Sequence, residues 1–203
     1  MSDEGFNPWI RSQLLQRRVV LVRGALDDTL AGQVTAELLL LESSGDEPVV
    51  IHVDSEGGPL HAAFAVIDTI DQLRAPVEAV CVGRAEGSAV GVLAAAPLRH
   101  AATHARIRLS EPESSVSGRA GDLQAWAEQR QHELARFADR LAQASGRPFE
   151  HVEADLTAGR WLTAEQAVAY GLVDGIWEPG RGSGGGRGAG GGRPFGFGPS
   201  DRT

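Results

Sequence analysis

The sequence has a single cysteine and no run of apolar residues long enough to span a membrane. Cys81 alone permits no internal disulfide, and no group of cysteines and histidines has the spacing of a metal site. Positive charge is also scarce, because 19 basic residues stand against 27 carboxylates and the formal net charge is −8. This balance argues against nucleic acid or an anionic membrane as the main partner. We expect neither a metal nor another cofactor.

The rest of the composition is that of one globular domain. The 203 residues are 42% hydrophobic and 23% charged, which is ordinary for a chain that buries a single core. The first residues, MSDEGFNPWIRSQ, are acidic and polar and do not have the pattern of a secretion signal. We therefore expect a cytoplasmic location. Cys81 lies within an apolar run, where a small buried side chain is expected.

Strand-type and helix-type patterns alternate through most of the chain. Residues 18–22, 49–53 and 77–82 are apolar runs typical of buried parallel strands, and the last of them is predicted to end at Gly83. Residues 106–109 and 172–177 are predicted to be short strands, and Trp161 is placed in a loop. The longest predicted helix covers residues 122–145. The alternation predicts an α/β fold with a mostly parallel sheet.

Three regions are distinguished by composition. Residues 1–17 form an N-terminal arm, with Phe6, Trp9 and Ile10 as docking points, and residues 18–178 form the folded domain. In the remaining tail, residues 179–203, nine of the thirteen residues from 180 to 192 are glycine. Such a segment buries too little apolar surface to offset its ordering entropy, so we expect it to be disordered.

Two corners rich in small residues follow neighbouring predicted strands. One is residues 54–58 (DSEGG), and the other runs from Gly83 to Ser88 and leads into an Ala/Val/Leu helix. Corners on adjacent parallel strands meet at the same edge of the sheet, and each leaves free backbone N–H groups at the start of a helix. They are therefore expected to face one another across a site.

With these features in this order, residues 14–176 resemble the proteolytic subunit of Clp-type ATP-dependent proteases, on the ClpP/crotonase fold. The matching pieces are RVVLV at 18–22, Gly24, Asp27 and Asp28, the DSEGG corner, Asp68 and Thr69, CVG at 81–83, Ala94 and Ala95, Arg106 and Ile107, Pro112, Asp155, LTAEQA at 162–167, and YGLVD at 170–174. The resemblance implies repeated β-β-α units with a mostly parallel sheet and a protruding long helix. It also implies homo- or hetero-oligomeric rings of ClpP-type subunits, and an AAA+ unfoldase as partner.

Members of that family use a Ser–His–Asp triad, and the resemblance carries only part of it over. Asp155 matches the aspartate. Ser110 stands at the position of the histidine, and Gly87 at the position of the serine, with Ser88 one residue later as the alternative nucleophile. His61 is the nearest substitute base in the sequence.

The backbone part of the site carries over better. The resemblance places an oxyanion hole at Gly57, Gly58 and Ser88, with Glu56 where the family has proline. Glu86 and Asp54 are interpreted as exposed or capping carboxylates rather than as an acid–base pair. The apolar stripe Trp126, Leu134, Phe137 and Leu141 is interpreted as core and subunit interface, and the segment 113–121 lacks a clear strand pattern.

Three functions remain open at this point. The first is a ClpP-like subunit of an ATP-dependent protease assembly that is catalytically impaired and structural or regulatory. The second is an active serine endopeptidase using Ser88 and Asp155 with an unusual base. The third is a crotonase-like protein that binds acyl thioesters.

Overall fold

Seven strands form one sheet in the computed structural model, which describes residues 8–112 and 120–177. The strands are β1 Val19–Ala25, β2 Val49–Gly57, β3 Val77–Glu86, β4 Leu98–Ala101, β5 Arg106–Leu109, β6 Arg160–Thr163 and β7 Gly175–Ile176. The helices are α1 Pro8–Gln16, α2 Asp28–Ser43, α3 Leu60–Gln72, α4 Ala89–Ala95, α5 Ala120–Ser145, α6 Phe149–Ala158 and α7 Ala164–Tyr170.

The sheet is mostly parallel, as the sequence predicts. Strands β1, β2, β3, β4 and β7 lie side by side in that order and all pair in parallel. Strand β3 changes neighbour along its length, because its first half pairs with β4 and its last residues pair in parallel with β5. Strand β6 then pairs antiparallel with β5. The carboxyl ends of β2 and β3 and the whole of β5 therefore meet at one edge.

Alternate residues of the central strands and one face of each neighbouring helix form the core. Val49, Ile51 and Val53 of β2 are fully buried, and the residues between them are not. All seven residues of α4 are buried. A Cβ on Gly91 of this helix would lie 2.6 Å from the ring of Phe137, so the glycine lets α5 pack closely against α4. This packing fixes the start of α4 under the edge of the sheet.

Helix α5 is buried only in its second half. From Leu123 to Gln131 no side chain is buried, whereas Phe137, Ala138, Leu141 and Ala142 are. The long helix therefore extends beyond the body of the domain. Of the predicted apolar stripe, Phe137 and Leu141 are core residues, while Trp126 and Leu134 are partly exposed.

Several elements differ from the sequence predictions, and strand β4 was not predicted at all. Residues 8–16, predicted as an arm, form helix α1, which an ion pair between Arg11 and Glu37 joins to α2. Strand β3 does not end at Gly83 but continues to Glu86. Trp161 lies in strand β6 rather than in a loop. The last strand is restricted to β7, so residues 172–174 precede it. The predicted docking residue Phe6, the segment 113–119 and the whole predicted tail, residues 179–203, lie outside the described residues.

Candidate active site

The two corners that the sequence places together are adjacent and tightly packed. Ser55 of β2 is paired with Ala85 of β3, so the ends of both strands come side by side. Gly57 has φ +84°, and a Cβ on it would lie 2.5 Å from the carbonyl oxygen of Glu86. A Cβ on Gly58 would lie 2.2 Å from the carbonyl oxygen of Leu26. Both positions therefore require glycine, because only its backbone fits so close to another chain segment.

Ser88 joins the two corners through its side chain. Its Oγ accepts a hydrogen bond from the N–H of Gly58 and donates one to the carbonyl of the same residue, each at 2.9 Å. Ser88 has no exposed surface. The hydroxyl proposed as an alternative nucleophile is thus buried and bonded to backbone, and it occupies the N–H that the sequence assigns to the oxyanion hole.

Ser55 also bonds to the backbone of the Gly57–Gly58 corner through its hydroxyl. Its Oγ donates to the carbonyl of Gly24 at 2.6 Å and accepts from the N–H of Gly57 at 3.0 Å. It is fully buried as well. Two buried serines therefore form hydrogen bonds with the N–H groups of Gly57 and Gly58 and with the carbonyl of Gly58. Burying these groups without a partner would destabilise the folded protein.

Gly87 has a different environment from the other corner glycines. Its φ is +51°, but among residues 8–112 and 120–177 a Cβ on it would meet nothing closer than 3.8 Å. Two of the three nearest atoms would be Ser110 Oγ and Pro112 Cα, both at 3.8 Å. With respect to the described residues, a Cβ at position 87 would have room, and Ser110 Oγ would be among its nearest neighbours.

Backbone hydrogen bonds bring Ser110 to this place. Glu86 is paired with Arg108, and the N–H of Gly87 donates to the carbonyl of Arg108 at 3.2 Å. Ser110 follows β5 directly and is partly buried. The structure therefore brings together the two positions that the sequence assigns to the nucleophile and the base, and they hold a glycine and a serine.

Asp155 is engaged by other side chains. Its carboxylate accepts from Nη1 of Arg160 at 3.0 Å and from the hydroxyl of Tyr170 at 2.8 Å. Burial, together with this hydrogen bond to Asp155, raises the pKa of Tyr170 to about 12, so the phenol remains a proton donor. Arg147 and Arg160 also stack on the Tyr170 ring. This arrangement holds the carboxylate in a structural ion pair on α6.

The other carboxylates near the corners are neutralised by arginines. Arg84 pairs with Glu56 and lies 3.6 Å from Glu86. Glu86 also lies 3.8 Å from Arg108, and Asp54 lies 3.7 Å from Arg23. Asp54 and Glu86, interpreted from the sequence as exposed or capping carboxylates, thus lie beside arginines, and the Glu86 side chain is only 15% exposed.

Three histidines, His52, His61 and His100, have side-chain partners away from positions 87 and 110. His61 Nε2 is 2.6 Å from Asp28 Oδ1, and both side chains are exposed. His100 Nδ1 is 2.9 Å from Glu78, and His52 packs edge-on against Trp177. Burial lowers the pKa of His52. The substitute base predicted at His61 is thus bonded to Asp28, on the neighbouring helix.

Within residues 8–112 and 120–177, no group of three or more histidine, cysteine or acidic side chains is arranged to hold a metal ion. In that part of the chain, no helix has the length and apolar character needed to cross a bilayer.

Sequence reasoning missed the partners that hold this site. Nothing in the pattern indicates that Ser88 bonds to Gly58, since the two residues are 30 positions apart. Arg160 and Tyr170 as partners of Asp155 were also missed. The spacing of Asp155 and Arg160 across the end of α6 is the one local signal that could have suggested an ion pair.

The chain matches a known protein family over most of its length. A family model described as Clp protease matches residues 4–180. The match includes both corners, Ser110 and Asp155.

Proposed function

The chain belongs to the Clp protease family, and we propose that it is a catalytically impaired, ClpP-like subunit with a structural or regulatory role. The observation that carries the proposal is the proximity of positions 87 and 110. A Cβ on Gly87 would lie 3.8 Å from Ser110 Oγ, which supports the pairing of these two positions that the family resemblance implies. Neither position holds a residue that can do the chemistry.

The missing groups are the two that matter most to a serine peptidase. Position 87 has no side-chain oxygen to attack a peptide carbonyl. The hydroxyl at Ser110 cannot accept a proton near neutral pH as an imidazole does. Removing either the serine or the histidine of a triad lowers kcat by about a million-fold, or roughly 8 kcal/mol.

The geometry of Ser88 speaks against the second function left open by the sequence. A serine nucleophile needs a base within hydrogen-bond reach that can take its proton. The Ser88 hydroxyl instead donates to the carbonyl of Gly58, which is no base. The third function, binding of an acyl thioester, would use the same Gly58 N–H, and that group is bonded to Ser88.

The proposed role lies in an assembly. Membership of this family favours an oligomer, and the exposed first half of α5 offers surface for subunit contacts. We place the protein in the cytoplasm, in a ring with other copies or with active ClpP-type subunits, and on an AAA+ unfoldase. Here it would add contacts to the ring without adding a catalytic site.

Reaction with a fluorophosphonate probe tests the proposal. The purified protein, shown by circular dichroism and light scattering to be folded and of defined size, is expected to remain unlabelled while an active serine peptidase in the same tube is labelled. Peptide mapping would locate any adduct. An adduct at Ser88 that disappears in Ser88→Ala would overturn the proposal.

A further inference from the structure

A groove of about 680 Å³ lies between α5 and α6. Its floor is mostly apolar and consists largely of alanines together with Leu134 and Leu156. Three carboxylates line its rim, namely Glu111, Glu150 and Glu153, all on exposed residues. Thr157 donates to Glu111, while no arginine or histidine is among the lining residues of the described chain. The groove therefore suits a short segment that is apolar and positively charged.

The chain itself contains such a segment beyond the described residues. Residues 1–178 hold 15 arginines and 26 acidic residues, whereas the tail, residues 179–203, holds four arginines and one acidic residue. The tail is thus positively charged and the domain is negatively charged. Within the tail, aromatic residues occur only in residues 193–197, RPFGF, where two phenylalanines follow an arginine.

We propose that residues 193–197 bind in the α5–α6 groove of their own chain. The phenylalanine rings lie on the alanine floor, where they lose contact with water, and Arg193 lies against the carboxylates of Glu150 and Glu153. The proposal concerns a surface and does not depend on whether the protein is a peptidase.

The tail leaves the domain within reach of the groove. Arg99 bonds to Asp174 and also donates to the carbonyl of Ala144 at 2.6 Å, so the end of the domain lies next to the end of α5. Ala138 in the groove is six residues, or about 9 Å, before Ala144 along the helix. Arg193 is 16 residues beyond Trp177, and an extended chain of that length spans about 50 Å.

Because residues 193–197 belong to the same chain as the groove, they can occupy it even if their intrinsic affinity is low. A short flexible linker gives an effective concentration on the order of millimolar. A segment with a dissociation constant of about 1 mM would then occupy the groove for roughly half of the time. The bound segment would cover the surface beside Glu111, which directly follows Ser110 at the site described above.

Photo-crosslinking of the full-length protein tests this placement. Phe195 is replaced by p-benzoylphenylalanine, the protein is irradiated, and the attached peptides are identified by mass spectrometry. Attachment to the peptides of α5 and α6 is expected. A mixture of isotope-labelled and unlabelled protein shows whether the link forms within one chain. Attachment mainly to other surfaces, or between chains, would overturn the proposal.

Charge reversal in the groove provides the matched comparison. Glu150→Lys with Glu153→Lys is expected to lower the yield of the α5–α6 adduct about three-fold, because losing two exposed ion pairs of ordinary strength weakens binding about five-fold and the groove of the unchanged protein is roughly half occupied. The control, Asp46→Lys with Asp68→Lys, changes the net charge equally on remote exposed residues and is expected to leave the yield unchanged. Equal yields in the two double variants would refute the contact with the rim carboxylates.

Discussion

Placing a serine at position 87 and a histidine at position 110 would measure how strongly the hydrogen bond between Ser88 and the Gly58 N–H blocks the proposed oxyanion hole. The double variant Gly87→Ser with Ser110→His introduces both groups at the positions proposed for them, where a Cβ on residue 87 would lie 3.8 Å from Oγ of Ser110. Because Ser88 Oγ still accepts from the Gly58 N–H at 2.9 Å, we expect this variant to react slowly with a fluorophosphonate. Adding Ser88→Ala removes the hydroxyl and keeps the backbone N–H of residue 88.

The size of the effect follows from the number of donors released. The triple variant frees one N–H, that of Gly58, and one oxyanion-hole donor is worth about 100- to 1,000-fold in rate, or roughly 2.7–4 kcal/mol. The substitutions also have costs in stability. A serine at the left-handed φ of Gly87 costs on the order of 1 kcal/mol, and losing the two hydrogen bonds of Ser88 costs about 1–3 kcal/mol.

The assay is the rate of covalent labelling at residue 87, measured on variants that urea unfolding shows to be fully folded under the assay conditions. Ser88→Ala alone is the control and is expected to remain unlabelled, since it has no nucleophile at position 87. Equal rates in the double and triple variants would refute the idea that Ser88 occupies the oxyanion hole. A folded triple variant without any labelling would refute the assignment of positions 87 and 110.

Three further outcomes are expected. Gly58→Ala should lower the free energy of unfolding by about 1–3 kcal/mol, because its Cβ would lie 2.2 Å from a backbone oxygen. Gly32→Ala on α2, where a Cβ meets nothing within 4 Å, is the control and should stabilise by about 0.5–1 kcal/mol; similar losses in both variants would contradict the packing explanation. Burial raises the pKa of Cys81 to about 12, so a maleimide should modify it at pH 8 only in unfolded protein, and rapid reaction of the native protein would disprove its burial. Burial lowers the pKa of His52 below its ordinary 6.5, so its contribution to stability is present above pH 6.5 and is lost as the pH falls toward the lowered pKa. In urea titrations, His52→Gln should lose less stability than the unchanged protein below pH 6.5, and parallel losses would count against the effect.

The parallel sheet and the position of the site were predictable because they depend on local patterns. Apolar runs such as residues 49–53 and glycine corners such as Gly57 and Gly58 report their own backbone environment. Glycine was misleading at Gly83, where β3 continues because its pairing passes from β4 to β5. A Cβ at Gly83 would lie 2.4 Å from Asp54, so the glycine there makes room for a neighbour rather than ending the strand.

Contacts between distant segments could not be predicted in this way. Strand β6 has only four residues and exists because it pairs with β5, more than 50 positions earlier in the chain. The same holds for Ser88, whose hydroxyl finds both polar groups of Gly58. The sequence shows that a serine is present, but the direction of its side chain is decided by tertiary packing.

Because β3 changes its pairing from β4 to β5, the distance between positions 87 and 110 is set by the backbone rather than by their side chains. Main-chain bonds between β3 and β5, including that from Gly87 to Arg108, set the separation of positions 87 and 110. Side chains at these two positions contribute little to that separation, so mutation can exchange them while the scaffold persists. The spacing of positions 87 and 110 is therefore a property of the sheet, and a substitution at either position changes the chemistry available there without having to change the distance between them.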